Sequence, residues 1–293
     1  MKVKAILNRL LHLLVNIAYW SSIIILIFLT SQIFFAATFK IPSDSMTPGI
    51  IAGDNVMVWK PAIGARLFNI FSAAEGEQVK IYRLPGYRKI RRNDVLVFNY
   101  PYPNHGGKIE MHLLKYYIKR CVALPGDTFY IDNGFYKVKG RPDTLGASLR
   151  QGELALAPDS AFSPELFNCF SPNAAQQWTM KNFGPIYIPR KGSLVSVDTA
   201  NISIYKNLIE YETGKAVESK DGNVTMDNAT LVSYTFTKNY YFMAGDEVLN
   251  SRDSRYWGLL PEDHIVGKAA FIWKSKDPHT GKYRWERLFK AVR

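Results

Sequence analysis

A mainly β fold carried behind a single N-terminal transmembrane helix is what this sequence predicts, and three observations predict it. Residues 10 to 39 contain no Asp, Glu, Lys or Arg. Beyond them, short runs rich in Val, Ile, Tyr and Phe alternate with turns containing Gly, Pro and Asn, which is the texture of half-buried strands. With 47% apolar and 21% charged residues among 293, the chain can build a folded core. Its formal net charge of +12 suits an anionic partner without naming one.

Taken in order, residues 1 to 9 form a basic tail with Lys2, Lys4 and Arg9. As a helix, residues 10 to 39 would be about 45 Å long, more than a hydrocarbon core of about 30 Å. The positive-inside rule then places the N-terminus in the cytoplasm and everything after Lys40 outside. A cleavable signal peptide shares the basic start, but its apolar region is shorter and ends in a small-x-small site, whereas this one exits through FFAATFK. An uncleaved anchor is favoured. No later run is comparable, so a single-pass protein is expected.

Strands are expected in DNVMVWK (54 to 60), DVLVFNY (94 to 100), LLKYYIKRCVAL (113 to 124), FYIDNGFYKV (129 to 138), IYIPRKGSLVSV (186 to 197) and YTFTKNYYFMAG (234 to 245). Asp132-Asn133-Gly134 between two aromatic runs signals a hairpin. One helix is expected over 201 to 212, where Ile204, Leu208 and Tyr211 share a face. Residues 140 to 177 show little periodicity and many Pro, Ser, Ala and Asn, and read as a long surface excursion. Two cysteines, Cys121 and Cys169, are too few for a disulfide scaffold and lack zinc-site spacing; whether they pair stays open.

Elimination narrows the chemistry. There is no G-x-S-x-G, H-E-x-x-H, P-loop or Cys-x-x-Cys. The five histidines, at 12, 105, 112, 264 and 279, are scattered and read as surface or loop residues. Directly after the apolar run comes IPSDSMTP, where Ser43 and Ser45 stand between two prolines; a membrane exit needs only one capping hydroxyl. A serine nucleophile needs a base. Lys119, in YYIKRCVALPGD, stands among Tyr, Cys and aliphatic residues where it can be desolvated. At the ordinary pKa of about 10.4, roughly one lysine in 2,500 is neutral at pH 7, and burial lowers that pKa by up to about 3 to 5 units.

Three separated segments together resemble bacterial type I signal peptidase, the membrane-bound Ser-Lys peptidase family. IPSDSMTP is similar to its serine box, DVLVFNYP with YYIKRCVALPGD to its lysine box, and GDEVLNSRDSRYWGLLPEDHIVGKA to its C-terminal box. The resemblance implies a signal-peptidase-like β-core and a serine endopeptidase that removes signal peptides from exported preproteins after small-x-small, Ala-x-Ala-like sites. It makes Ser45 the nucleophile, Lys119 the general base and Ser43 the oxyanion-hole hydroxyl beside the Ser45 N–H. Ser251 would hydrogen-bond the lysine amine, and Asp253 and Arg255 would form a supporting ion pair. Phe39, Ile41, Pro42, Met46, Tyr117 and Ile118 would wall the subsites for small residues. It implies no cofactor, no metal and no nucleic acid. Preproteins and membrane lipids are the expected partners, a monomer is the expected state, and the bacterial inner membrane is the expected location, with the catalytic domain on the extracytoplasmic side.

The middle of the chain carries almost none of this resemblance. Residues 40 to 131 and 235 to 293 are therefore expected to form the catalytic core, with 132 to 234 an inserted cap lobe. Asp44 stands where the best-known member has Gly, and Glu247-Val248-Leu249 replaces the usual Asn-Arg-Asp. An inactive membrane-anchored scaffold of the same fold is the alternative from another class. A self-cleaving repressor-type Ser-Lys protease is the enzymatic rival, but an anchor stands where its DNA-binding domain would be. Two further features call for a structure. Residues 82 to 94, YRLPGYRKIRRND, form either a patch for anionic headgroups or a solvated loop. The run ELALAP, residues 153 to 158, looks like a cleavage site on an exposed loop, with Pro158 either guarding it or belonging to ordinary turn composition.

Overall fold

The apolar N-terminal run forms helix α1, Lys2–Phe34, about 50 Å long at 1.5 Å per residue. Its stretch Ile6–Phe34 has a mean hydropathy of 2.1 and is not buried against the rest of the protein. Ser22 and Thr30 return their hydroxyls to the carbonyls of Ala18 and Leu26 (2.8 and 2.7 Å), so these two hydroxyls are satisfied within the helix itself. The computed structural model describes residues 2–69, 71–72, 75, 79–102, 107–113, 115–171, 176–220 and 222–293.

Eighteen strands follow among the described residues. Six precede the lobe: β1 (Ala36–Lys40), β2 (Asp54–Trp59), β3 (Arg66–Leu67), β4 (Tyr82–Arg83), β5 (Val95–Asn99) and β6 (Tyr116–Ala123). The middle of the chain adds β7 (Thr128–Asp132), β8 (Phe135–Val138), β9 (Phe183–Tyr187), β10 (Leu194–Ser196), β11 (Val217–Lys220), β12 (Asn223–Met226), β13 (Ala229–Thr230) and β14 (Ser233–Thr235). The chain then returns through β15 (Tyr240–Ala244), β16 (Leu260–Pro261), β17 (Ile265–Ser275) and β18 (Lys290–Ala291). One antiparallel sheet runs β1-β2-β17-β5-β6-β15-β16, with β18 on β17. β1 and β6 lie four strand spacings apart, about 19 Å in a flat sheet. The rings of Phe39 and Tyr116 are nevertheless 4.6 Å apart, so the sheet curls until these strands face one another. Ile41, Met46, Ile50, Val56, Val97, Ile118 and Ile272 fill the space inside.

The anchor is shorter than the sequence suggests. Residues 36 to 39, assigned to its end, belong to β1, which pairs with β2 from Ala36↔Trp59 to Lys40↔Asn55. A short apolar run looks alike as helix or strand, and only the partner decides.

The chain leaves the large sheet after Ala123 and rejoins it at Tyr240. β7 pairs with β8 and β9, not with the sheet, so the structural departure falls before residue 132. Asn133 and Gly134 both take positive φ (49° and 85°), the backbone a tight two-residue hairpin needs. The expected helix is present as Ile202–Thr213 and stops at Gly214 in the left-handed region. Lobe and sheet share one core, where Phe129 stacks on Phe242 at 4.2 Å.

Residues 140 to 177 are not irregular throughout. Ser148–Leu156 is a helix, whose buried Gln151 accepts from the Tyr136 N–H (2.9 Å) and donates to the Leu145 carbonyl (2.6 Å); residues 172–175 lie outside the described residues. Ala155 is thus helical, and the Ala157 N–H is bonded to the Glu153 carbonyl at 3.1 Å. A protease that grips an extended chain has no grip here, so Pro158 is not needed as a guard. Both cysteines are buried and free. His264 is a correction too: it is fully buried, with Nδ1 3.1 Å from the Asn99 carbonyl, while His105 lies outside the described residues.

Candidate active site

The serine loop begins where β1 ends. Ile41 is held by two backbone bonds, its N–H to the Asp54 carbonyl and its carbonyl from the Gly53 N–H (2.8 and 2.9 Å). The Thr47 N–H closes a turn on the Asp44 carbonyl at 2.9 Å, and the Asp44 carboxylate turns back to accept from the Ala52 N–H at 2.8 Å. Ile41, Met46 and Ile50 peg the loop into the core. Ser43 and Ser45 stay uncommitted to that packing, with their hydroxyl oxygens 3.4 Å apart. The Ser45 N–H has no hydrogen-bond acceptor among the described residues.

Lys119 comes from β6, paired with Leu96 of β5. Tyr117 and Cys121 enter one apolar cluster and Ile118 another, as strand alternation requires. Lys119 is only 4% exposed, and its amine donates to the Ser45 hydroxyl oxygen. Burial, helped by the Arg255 charge and opposed by Asp253 and Asp246, lowers its pKa to about 8. At pH 7 about a tenth of such lysines are neutral, a gain of more than a hundredfold over an ordinary one.

The strand β15 ends in Gly245, and everything behind the lysine closes on that glycine. A Cβ there would stand 2.1 Å from the Ser251 hydroxyl and 2.6 Å from the Ser45 carbonyl, so no other residue fits without moving the loop that carries Ser45. The Gly245 N–H donates to Asp253 at 2.9 Å, and the Glu247 N–H to the Ser45 carbonyl at 3.1 Å. Asp253 and Arg255 form a fully buried two-pronged ion pair (2.8 and 2.9 Å), and Arg255 also donates to the Val248 and Ser251 carbonyls. Ser251 is buried nearby, but its hydroxyl has no hydrogen-bond partner among the described residues. The expected bond from Ser251 to the amine is therefore not made: the amine is directed at Ser45.

A groove of about 510 Å³ opens along Ser45 and Lys119, lined by Phe39, Ile41, Pro42, Tyr117 and Ile118 among others. Met46 is not part of it. At 1% exposure it is a core peg beside Ile41, since the turn at Asp44–Thr47 carries its side chain inward. The sequence reading missed Thr38, Val97 and Tyr116, which do line the groove. β-alternation along AATFK and VLVFN was the available signal, but it required knowing that β1 is a strand.

Comparison with known proteins supplies the family. A family model described as signal peptidase, peptidase S26 matches residues 14–274. The chain belongs to that family. Curated relatives of this peptidase S26 chain include proteins named Signal peptidase I. The one from Buchnera aphidicola subsp. Acyrthosiphon pisum is 26% identical, covering 93% of this chain and 78% of its own. Those from Pseudomonas fluorescens (26% identical, 86% and 69%) and Helicobacter pylori strain 26695 (25% identical, 93% and 91%) are similar over comparable spans. Family membership makes the chain a serine peptidase, and the mainly β sheet behind an apolar helix is the family's architecture.

Proposed function

We propose that this chain removes signal peptides from exported preproteins after Ala-x-Ala-like sites, with Ser45 as nucleophile and Lys119 as general base. The observation that carries the reading is the buried Lys119 amine donating to the Ser45 hydroxyl. Neutral Lys119 takes the Ser45 proton as the oxygen attacks the scissile carbonyl, then passes it to the departing amine of the mature protein. Water repeats the step on the acyl-enzyme ester, and Ser45 regains its proton. The Ser45 N–H and the Ser43 hydroxyl are the donors for the developing oxyanion. Arg255 with Asp253 positions the segment that packs against Gly245 and the Ser45 carbonyl. The narrow apolar groove between β1 and β6 suits an extended peptide with small side chains.

In this reading α1 spans the bacterial inner membrane once, with Lys4 and Arg9 cytoplasmic and the sheet outside. An inactive scaffold of the same fold would have no use for a lysine poised to lose its proton. The test is direct. Detergent-solubilised protein is incubated with a preprotein whose signal peptide ends in Ala-x-Ala, and the new N-terminus is sequenced. Cleavage after the last Ala, absent in Ser45→Ala, is the expected result; an intact preprotein would sink the reading.

A further inference from the structure

We infer that a second cavity, at the root of α1 between the sheet and the lobe, binds a phosphate group, and that an anionic phospholipid at the membrane surface carries it. The cavity, about 460 Å³, is lined by four cations, Arg83, Arg88, Lys89 and Arg190, against the single carboxylate of Glu262. None of the four is neutralised within the cavity. Arg83 is half-buried and, among the described residues, donates only to the carbonyls of Gly64, Glu262 and Ile265 (2.9, 2.9 and 2.6 Å). Carbonyls satisfy its N–H groups, and the carboxylates of Glu262 and Asp263 act on its charge only through space, with no ion pair among the described residues. Arg88 pairs with Asp94, but Lys268 shares that carboxylate at 2.9 Å, and the buried Nε of Arg88 has no partner. Lys89 and Arg190 are exposed, and neither side chain has a hydrogen bond or ion pair among the described residues. Glu262 itself accepts from the Asn239 amide at 2.8 Å. Four cationic side chains lining one concave surface, with the donors of Lys89 and Arg190 uncommitted among the described residues, are the chemistry that recognises phosphate.

Position selects the source. The Lys60 amine donates to the last carbonyls of α1, those of Gln32 and Ile33 (2.6 and 3.2 Å). The carbonyls of Pro61 and Ala62 accept from the N–H groups of Tyr87 and Arg88 (3.2 and 3.0 Å), which stitches the basic loop to the end of the helix. Ile63, which lines the cavity, is three residues beyond Lys60, a span of at most about 11 Å. The headgroup layer is roughly 5 to 8 Å deep. With the end of α1 at the bilayer surface, the cavity wall stands beside the headgroup layer, within reach of lipid phosphates; this choice of source rests on that placement, whereas the phosphate chemistry does not.

The experiment titrates the full chain, in uncharged detergent, separately with short-chain phosphatidylglycerol, short-chain phosphatidylcholine and inorganic phosphate, and reads heat of binding. Phosphatidylglycerol is expected to bind more tightly than phosphatidylcholine. Lys89→Ala and Arg190→Ala should each weaken it about fivefold, and roughly 30-fold together. The double variant should cleave a soluble peptide as well as the parent does, which shows that it is folded and keeps this test separate from that of the peptidase reading. If phosphate binding is lost in the double variant but phosphatidylglycerol binds no better than phosphatidylcholine, the lipid source is overturned. If no anion binds, or the double variant binds as the parent does, the site itself is overturned.

Discussion

Lys119 and Arg255 are both buried basic groups, and both feel the carboxylate of Asp253, yet their pKa values move in opposite directions. Arg255 is gripped by Asp253 at two points and by two carbonyls. Burial works against its charge, but the Asp253 contacts outweigh it and drive its pKa well above the ordinary value. Lys119 has a neutral hydroxyl as its hydrogen-bond acceptor, and burial there wins. The cost of burying the two charges is of the same kind; the partner decides whether the group remains a cation or becomes an available base. One pair holds the floor of the site, and in the proposed mechanism the other does the chemistry.

Breaking the two sides of this comparison should give effects of different kinds. The largest is on rate: Ser45→Ala and Lys119→Ala should each lower kcat by about 10⁶, because nucleophile and base act as one unit, with unchanged circular dichroism. Turnover retained in either variant would remove the pair from the mechanism. Next, Asp253→Ala should destabilise the fold by about 3 to 5 kcal/mol, the cost of leaving Arg255 buried without its carboxylate, read as a lower denaturant midpoint. Asp253→Asn, closer in shape, should instead move the midpoint of the pH–rate profile to lower pH, since the Asp253 charge raises the Lys119 pKa. An unmoved midpoint would show that the two cations are not coupled.

Ser43→Ala should be milder than loss of the nucleophile, about 10² to 10³ in kcat; a silent variant would leave the oxyanion to backbone amides. The pH dependence of stability sharpens the comparison most. The Lys119 pKa falls from 10.5 to about 8 on folding, so between those pH values the unfolded chain binds more protons than the native one. Native stability therefore rises with pH through that window, and the whole penalty applies below it. Lys119→Met should be more stable than the parent at pH 7 by about 3 kcal/mol, with the gap closing above pH 10. In the parent, kcat/KM should climb to a plateau with an apparent pKa near 8. A profile still rising steeply through pH 10 contradicts a desolvated base.

Legibility followed the length scale of the cause. Aromatic and β-branched alternation marked β2, β5 and β6, and Asn133-Gly134 marked the hairpin, because those signals act within a few residues. The helix Ser148–Leu156 escaped because only Gln151 and Leu154 face inward, too few for a visible period, and Gln151 is fixed by partners outside the helix. His264 escaped because its burial depends on Asn99, far away in sequence. Met46 looked like a subsite residue because it stands next to Ser45, but a turn reverses the direction of its side chain.

By itself the sequence determined the apolar helix, the strand texture and the three short segments that carry Ser45, Lys119 and the Asp253–Arg255 pair. Composition and local spacing suffice for these, since each is set by neighbours along the chain. Only the tertiary structure decided that β1 is a strand, that the sheet curls until Phe39 meets Tyr116, and that Lys119 reaches Ser45 across 74 positions. It alone decided the state of the amine. A lysine's pKa is set by the water it loses and the charges it meets, and at this site Asp246, Asp253 and Arg255 arrive from more than 120 positions away.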